Sequence, residues 1–275
     1  MNTTPVDDGY VLGHSSEEYR RLRSQARMWD EATKRVLGKV GLSTGMRCLD
    51  VGCGPGSVME SMGEIVGATG RVTGIDADAA IGTEALQQLR ANGPDIYGFV
   101  AADITKIDTV TDAPFDLVFS RLLLFHLADP KDAIKRLWSW VRPGGVLCVM
   151  DYDNIGSFAY TQSTAPNRAL VLIKEAFAAV GKHQRIGSEM PLLFEQVLEG
   201  PADGTDYSGH IEPIARAAEV QIRPLLKSLR PVITVKLGRS AAELDALDAE
   251  LSEVTKGAQG SSILPAMIAT WKRKV

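Results

Sequence analysis

Cys48-Leu-Asp-Val-Gly-Cys-Gly-Pro-Gly56 is a short apolar run that breaks into glycines at alternate positions, with an acid, Asp50, placed just before the break. The run has the length of a buried strand, and the glycines form the turn that leaves it. In an open α/β sheet the ligand crevice lies beyond the carboxyl ends of the strands, so a turn here faces a ligand. Gly52, Gly54 and Gly56 let backbone amides approach that ligand with no side chain in the way. The loop alone does not select the ligand, because dinucleotide enzymes place a G-x-G-x-x-G at the same point. In this chain the third glycine position of that pattern is Ser57, and the acid stands before the loop, so the nicotinamide fingerprint is incomplete. No Gly-Lys-Ser/Thr follows, which excludes a Walker-type phosphate loop.

Working outward, apolar runs of strand length recur near 47–51, 71–75, 97–101, 115–120 and 145–150, with helical patterns near 56–67, 81–91 and 131–141 between them. Asp129 is placed to cap the last of these helices, with Pro130 at its first position. The turn Arg142-Pro-Gly-Gly145 stops that helix and admits the fifth strand. Alternation of this kind predicts an α/β fold with a mostly parallel, doubly wound sheet covered on both faces. Upstream, Ser15 and Glu18 have capping-box spacing, and Tyr19, Leu22, Ala26, Trp29, Ala32 and Val36 form one apolar stripe of a long helix. Downstream, 164–199 and 213–254 read as mostly helical, with a second capping box at Ser240 and Glu243. Short extended pieces near 205–211 and 264–272 are placed to close the sheet edge. The expected organisation is an N-terminal helical cap (1–42), a core (43–155), and lid helices with closing strands of the same domain (156–275).

Composition narrows the function. The chain has 275 residues, 45% hydrophobic and 23% charged, with a net charge of −4 and no dense Lys/Arg block. That balance argues against nucleic acid or an anionic membrane as partner and favours a small molecule. No apolar run approaches the ~20 residues that span a bilayer, and the N-terminal residues lack the features of a secretory signal. The expected location is cytoplasmic. Cys48, Cys53 and Cys148 form no C-x-x-C pair and join no His cluster, so they read as reduced thiols in or near buried strands.

With these residues in view, the chain resembles the class I S-adenosylmethionine-dependent methyltransferases, in the small-molecule branch with an N-terminal helical cap. The likeness runs from about Tyr10 to Trp271 and is dense between 47 and 151. Cys48 to Gly56 matches the family's first motif, Arg71-Val-Thr-Gly-Ile-Asp76 its second strand, and Ala101-Ala-Asp103-Ile104 its third. Phe115 to Arg121 and Arg142 to Leu147 match the fourth and fifth. The resemblance implies a Rossmann-like fold and S-adenosyl-L-methionine as methyl donor, leaving S-adenosyl-L-homocysteine. It implies that Asp76 and the adjacent Ala77 hold the ribose, that Asp103 accepts from the adenine amino group, and that Ile104 packs on the ring. Asp50, Gly52, Cys53, Gly54 and Ser57 would form the cradle, with Asp50 either touching the ligand or pinning loop amides. Ser120 and Arg121 follow at the end of strand four. Tyr10 would shelve the sulfonium, either Arg21 or Gln25 would bind the cofactor carboxylate, and His14 would orient the loop.

Methyl transfer by in-line displacement asks the protein mainly to position donor and acceptor, with a general base where the acceptor must lose a proton. His126 is the first candidate for that role, followed by Asp151 and Asp153, which strand alternation places on one side with Tyr152 opposite. Asp153-Asn154 also resembles metal ligands of catechol-type O-methyltransferases, but the further acid such a site needs, after strand four, is Arg121. No metal is expected. The acceptor would be a small molecule of specialised-metabolite or quinone biosynthesis, selected by the cap, by 154–165 and by the helical insertion. The cap helix and insertion also offer faces for a homodimer. Two other readings stay open: a non-catalytic module that keeps S-adenosylmethionine as a ligand, and an NAD(P)-dependent oxidoreductase, against which stand Ser57 and the absence of a Tyr-x-x-x-Lys.

Overall fold

The computed structural model describes residues 21, 22 and 25–275. The expectations for Tyr10, His14, Tyr19 and the Ser15–Glu18 capping box lie outside the described residues. Five parallel strands form the heart of the molecule: β1 (Arg47–Val51), β2 (Arg71–Asp76), β3 (Tyr97–Ala101), β4 (Phe115–Arg121) and β5 (Val141–Asp153). Two strands from the end of the chain, β7 (Gly204–Ser208) and β10 (Ala266–Arg273), extend the sheet in the antiparallel sense, giving the order β3-β2-β1-β4-β5-β10-β7. This is a Rossmann-like, mostly parallel, doubly wound sheet. The two extended pieces expected near 205–211 and 264–272 do close its edge.

Alternation within the strands divides the core in two. Leu49, Val51, Leu147 and Val149 belong to one apolar cluster, whereas Cys48, Val146, Cys148 and Met150 belong to the other. Successive strand side chains point to opposite faces, so a strand buried on both faces is apolar at nearly every position. All three cysteines are buried and unpaired.

The covering helices follow the sequence closely. Helix α1 (Asp30–Lys39) continues a helical stretch at 21–22 and 25–28, and α2 (Ser57–Val66) leaves the glycine loop. Helix α3 (Ala79–Asn92) is capped by Asp78, which accepts from the amides of Ala80 and Ile81 at 3.0 and 3.2 Å. Helix α4 (Pro130–Ser139) starts as expected, with Asp129 accepting from the Asp132 amide at 3.0 Å. The expected turn at 142–145 is instead an irregularity inside β5, because Val141 already pairs with Phe115 before the register resumes at Leu117 and Val146.

The last third holds helices α5 (Ala165–Ala179), α6 (Ile186–Val197), α7 (Ile214–Ala217), α8 (Arg223–Ser228), α9 (Arg230–Leu237) and α10 (Ala241–Thr255), with a π-helical turn at Ala218–Ile222. Both bonds of the Ser240–Glu243 capping box are present. A small second sheet, β6 (Phe158–Thr161), β9 (Gly260–Ile263) and β8 (Ile211–Pro213), has the order β6-β9-β8 and was not legible in the sequence. Its strands are only 4, 4 and 3 residues long, too short for a periodic signal. Among the described residues, no helix is long and apolar enough to cross a membrane.

Candidate functional site

The strand order reverses direction between β1 and β4, which opens a crevice at their carboxyl ends. A cavity of about 320 Å³ lies there. Its floor is the glycine loop, pinned to β2 by hydrogen bonds from the Gly52 and Cys53 amides to the Ile75 carbonyl at 2.8 and 2.9 Å. The Gly54 amide donates to Asp76 Oδ2 at 2.8 Å, and the Asp78 amide to Asp76 Oδ1 at 2.9 Å. The glycines are geometrically required: Gly52 has φ +75°, and a Cβ there would meet Leu123 at 3.1 Å. Gly54 has φ +46°, and a Cβ there would meet no protein atom within 4 Å. Its missing side chain leaves open space beside an acid.

Of the residues expected in the site, Arg21, Gln25, Gly52, Cys53, Gly54, Asp76, Ala77, Asp103, Ile104, Arg121 and His126 line this cavity. Asp50, Ser57, Ser120, Asp151 and Asp153 do not. Asp50 is buried behind the loop, and neither carboxylate oxygen has a hydrogen-bond partner among the described residues. Burial raises its pKa to about 7, against the pull of Arg121 and with a further push from Asp76. Ser120 is also buried, with no partner for its hydroxyl among the described residues.

Asp151 supports the loop after β4. Its carboxylate accepts from the Phe125 amide at 3.1 Å and from its own neighbour Tyr152 at 2.8 Å. Burial lifts its pKa to about 7 although these backbone bonds oppose the rise. Asp153 turns toward α6, accepting from the Ser188 hydroxyl and from the Ile155 amide at 3.0 Å. The two acids therefore sit on the expected side of β5, beside structural partners. Asp103 lines the cavity, yet its carboxylate also accepts from the Thr105 amide and hydroxyl at 2.9 and 2.7 Å and pairs with Lys106. Partial burial works against its charge, but these bonds prevail and hold the carboxyl below its ordinary range.

His126 is half-buried, with its ring edge-on to Phe125 at 5.1 Å. Burial, together with the cations Lys182 and Arg21, lowers its pKa to about 3, so the imidazole is neutral. Arg121 donates to Thr33 Oγ1 on α1 at 2.7 Å. Burial lowers its pKa, opposed by Asp50 and Asp30.

Sequence reasoning named the segments 154–165 and 213–254 for the far wall but not its individual residues, and it missed the contributions of Tyr152, Lys174 and Phe177. Tyr152, Asn154, Ser157, Lys174, Phe177 and Gln221 all line the cavity. Lys174 spans the wall with bonds to the carbonyls of Ile155 and Ser157 at 3.2 and 2.9 Å. Val220, Gln221 and Ile222 come from the π-helical turn. Such turns recur at functional sites, and no residue pattern announces them.

These features fit S-adenosylmethionine. An acid at the end of β2 lines the cavity, Ile104 offers an apolar flank, and Gly54 leaves room against the acid. Residues 49–149 match the model of the methyltransferase domain family. Over 123 residues the chain is 35% identical to phosphoethanolamine N-methyltransferase 1 of Zea mays, covering 44% of this chain and 24% of that protein. It is 35% identical over 130 residues to trans-aconitate 2-methyltransferase of Rhizobium leguminosarum, covering 46% and 48%. It is 30% identical over 154 residues to the tRNA 5-carboxymethoxyuridine methyltransferase of Escherichia coli, covering 52% and 57%. The chain thus spans from about a quarter to just over half of these relatives.

Among solved structures, a methyltransferase-like protein of Bacillus halodurans superposes with TM-score 0.59 at 16% identity, covering 88% of this chain and 98% of that one. Phosphoethanolamine N-methyltransferase 2 of Haemonchus contortus, solved with S-adenosylhomocysteine, superposes with TM-score 0.54 at 16% identity, covering 98% and 61%. These two likenesses concern the fold. The glycine loop, the acid at the end of β2 and the match of residues 49–149 to the methyltransferase domain family together support a class I S-adenosylmethionine-dependent methyltransferase, with S-adenosylmethionine as cofactor.

Proposed function

We propose that the chain transfers a methyl group to a small acceptor with an apolar body, in the biosynthesis of a specialised metabolite or a quinone. The observation that carries this reading is the wall facing the glycine loop. Leu170, Ile173, Phe177, Ile222, Leu225 and Leu264 enclose that side of the cavity, a surface suited to a compact apolar group and poorly suited to a solvated polynucleotide. The net charge of −4 supplies no steering toward RNA. This separates our reading from the activity of the tRNA-directed relative.

When bound, S-adenosylmethionine supplies an already activated methyl. The remaining task of the chain is to hold acceptor, methyl carbon and sulfur in line and to exclude water. In this reading Asp76, Ala77 and Ile104 fix the adenosine end, while Gly52, Leu123 and His126 flank the methionine end. We assign His126 to a neutral hydrogen-bonding contact, because an imidazole with a pKa of about 3 is a weak base. Asp151 and Asp153 are assigned to holding the neighbouring loops. We divide the chain into a cap (1–42), a cofactor-binding core (43–155) and a lid with closing strands (156–275).

The test is transfer of radiolabelled methyl from the cofactor to a panel of small apolar acids, phenols and amines, run beside bulk tRNA. Label in small molecules is expected. Label confined to tRNA would overturn the acceptor class. Tight S-adenosylhomocysteine binding with no transfer to any acceptor would favour the non-catalytic module.

A further inference from the structure

Tyr152 lies on β5 with its ring edge-on to Trp29 at 5.9 Å. Two donors hold its hydroxyl oxygen: Gln25 Nε2 at 2.9 Å and Trp29 Nε1 at 2.8 Å. Chemistry fixes the sense of both bonds. An indole nitrogen can only donate. Arg21, which also can only donate, gives Nη1 to Gln25 Oε1 at 3.0 Å. The Gln25 carbonyl oxygen is thereby committed to Arg21, which leaves its NH2 group facing the tyrosine.

The Tyr152 oxygen therefore accepts twice, and its own proton has to be donated in a third direction. Among the described residues none accepts it, while Tyr152, Gln25 and Arg21 all border the cavity. Two accepted bonds polarise the O–H and strengthen whatever bond it makes. We propose that Tyr152 is a preset hydrogen-bond donor for a carboxylate bound in the cavity, with Arg21 as the cation beside it. Two sources share that chemistry: the amino-acid end of the cofactor, or an acidic group on the acceptor. The assignment rests on the methyltransferase reading above.

Calorimetry with two ligand pairs separates these sources. The first pair is S-adenosylhomocysteine and 5′-methylthioadenosine, which lacks the amino-acid end. The second, added to the S-adenosylhomocysteine complex, is 3-phenylpropionate and 3-phenylpropan-1-ol. A hydrogen bond to a charged group contributes about 1.5–3 kcal/mol, so Tyr152→Phe is expected to weaken the carboxylate-bearing member of one pair about tenfold or more and to leave its neutral partner unchanged. Gln25→Leu keeps the hydroxyl but releases its orientation. It is expected to give a smaller loss on the same ligand, and the double variant should be no worse than Tyr152→Phe alone.

A loss confined to the first pair assigns the cofactor as source, and one confined to the second assigns the acceptor. No carboxylate-dependent loss in either pair, equal losses within each pair, or strict additivity in the double variant would overturn the proposal. Should Tyr152→Phe lower the melting temperature too far for calorimetry, the Gln25→Leu arm still decides. Failure of the unaltered protein to bind S-adenosylhomocysteine at all is a different result: it removes the cofactor reading and this assignment with it.

Discussion

The Asp76 carboxylate at the end of β2 accepts the Gly54 amide at 2.8 Å, a bond between residues 22 positions apart that locks the glycine loop to the neighbouring strand. One side chain thus shapes the cradle and, in the proposed reading, also holds the ribose. Asp76→Ala removes both effects. S-adenosylhomocysteine affinity is expected to fall at least tenfold by calorimetry, from the loss of hydrogen bonds to a charged acceptor. Unchanged affinity would place the ribose elsewhere.

Gly52 and Gly54 separate stability from binding. Both have positive φ, which costs an L-residue roughly 1–2 kcal/mol, but only Gly52 is closely packed, against Leu123 at 3.1 Å. Gly52→Ala is expected to lower both the melting temperature and the cofactor affinity. For Gly54→Ala the loss of affinity should exceed the loss of stability, because the new methyl group enters the open space of the cavity. Equal thermal losses without any binding defect in Gly54→Ala would contradict this geometry.

The two buried acids predict how stability varies with pH. Folding raises the pKa values of Asp50 and Asp151 from the ordinary 3.8 to about 7. The folded state then binds more protons than the unfolded chain between these values, so these groups stabilise fully below about pH 4, and that contribution is lost as pH rises toward and through 7. In the ligand-free protein, Asp50→Asn should flatten the fall in melting temperature between about pH 4 and 7, the interval between the unfolded and folded pKa values. A slope identical to that of the unaltered protein would mean that Asp50 is already ionised when folded.

His126 makes a prediction for catalysis. With its pKa lowered to about 3, it stays neutral through the range in which an ordinary histidine titrates. The pH profile of kcat/KM should show no limb near pH 6.5 that disappears in His126→Asn. A limb that does disappear would restore His126 as a titrating base.

Among the described residues no group of three or more His, Cys, Asp or Glu side chains is arranged to hold a metal ion, and the position after β4 is the cation Arg121, bonded to Thr33. Methyl transfer is therefore expected to survive dialysis against EDTA. An absolute requirement for Mg²⁺ would refute the assignment.

The sheet and the glycine loop with the acid at the end of β2 were legible because they depend on short-range signals. Apolar runs, capping residues and glycines act within a few positions of themselves, and the sheet then brings the strand ends together. The same reasoning placed Asp50 in the cradle, but whether it touches a ligand depends on which way a buried carboxylate turns; the fold puts it behind the loop, outside the cavity lining. Asp151 and Asp153 share a face of β5 as alternation requires, yet their partners Phe125 and Ser188 come from other elements.

The sequence by itself determined the order of the five parallel strands and of the helices between them, the glycine loop, the acid that ends β2 and the one that follows β3. Each of these follows from local backbone preference and from the rule that parallel strands present their carboxyl ends together. Only the tertiary structure decided which residues form the wall facing the glycine loop, and how the hydroxyl of Tyr152 is placed. Gln25 and Tyr152 meet across 127 positions, and Gln221 reaches the cavity from a turn with no periodic signature. Hydrogen-bond direction at Tyr152 exists only once Gln25, Trp29 and Arg21 are packed around it, because a donor's free direction is set by its neighbours in space.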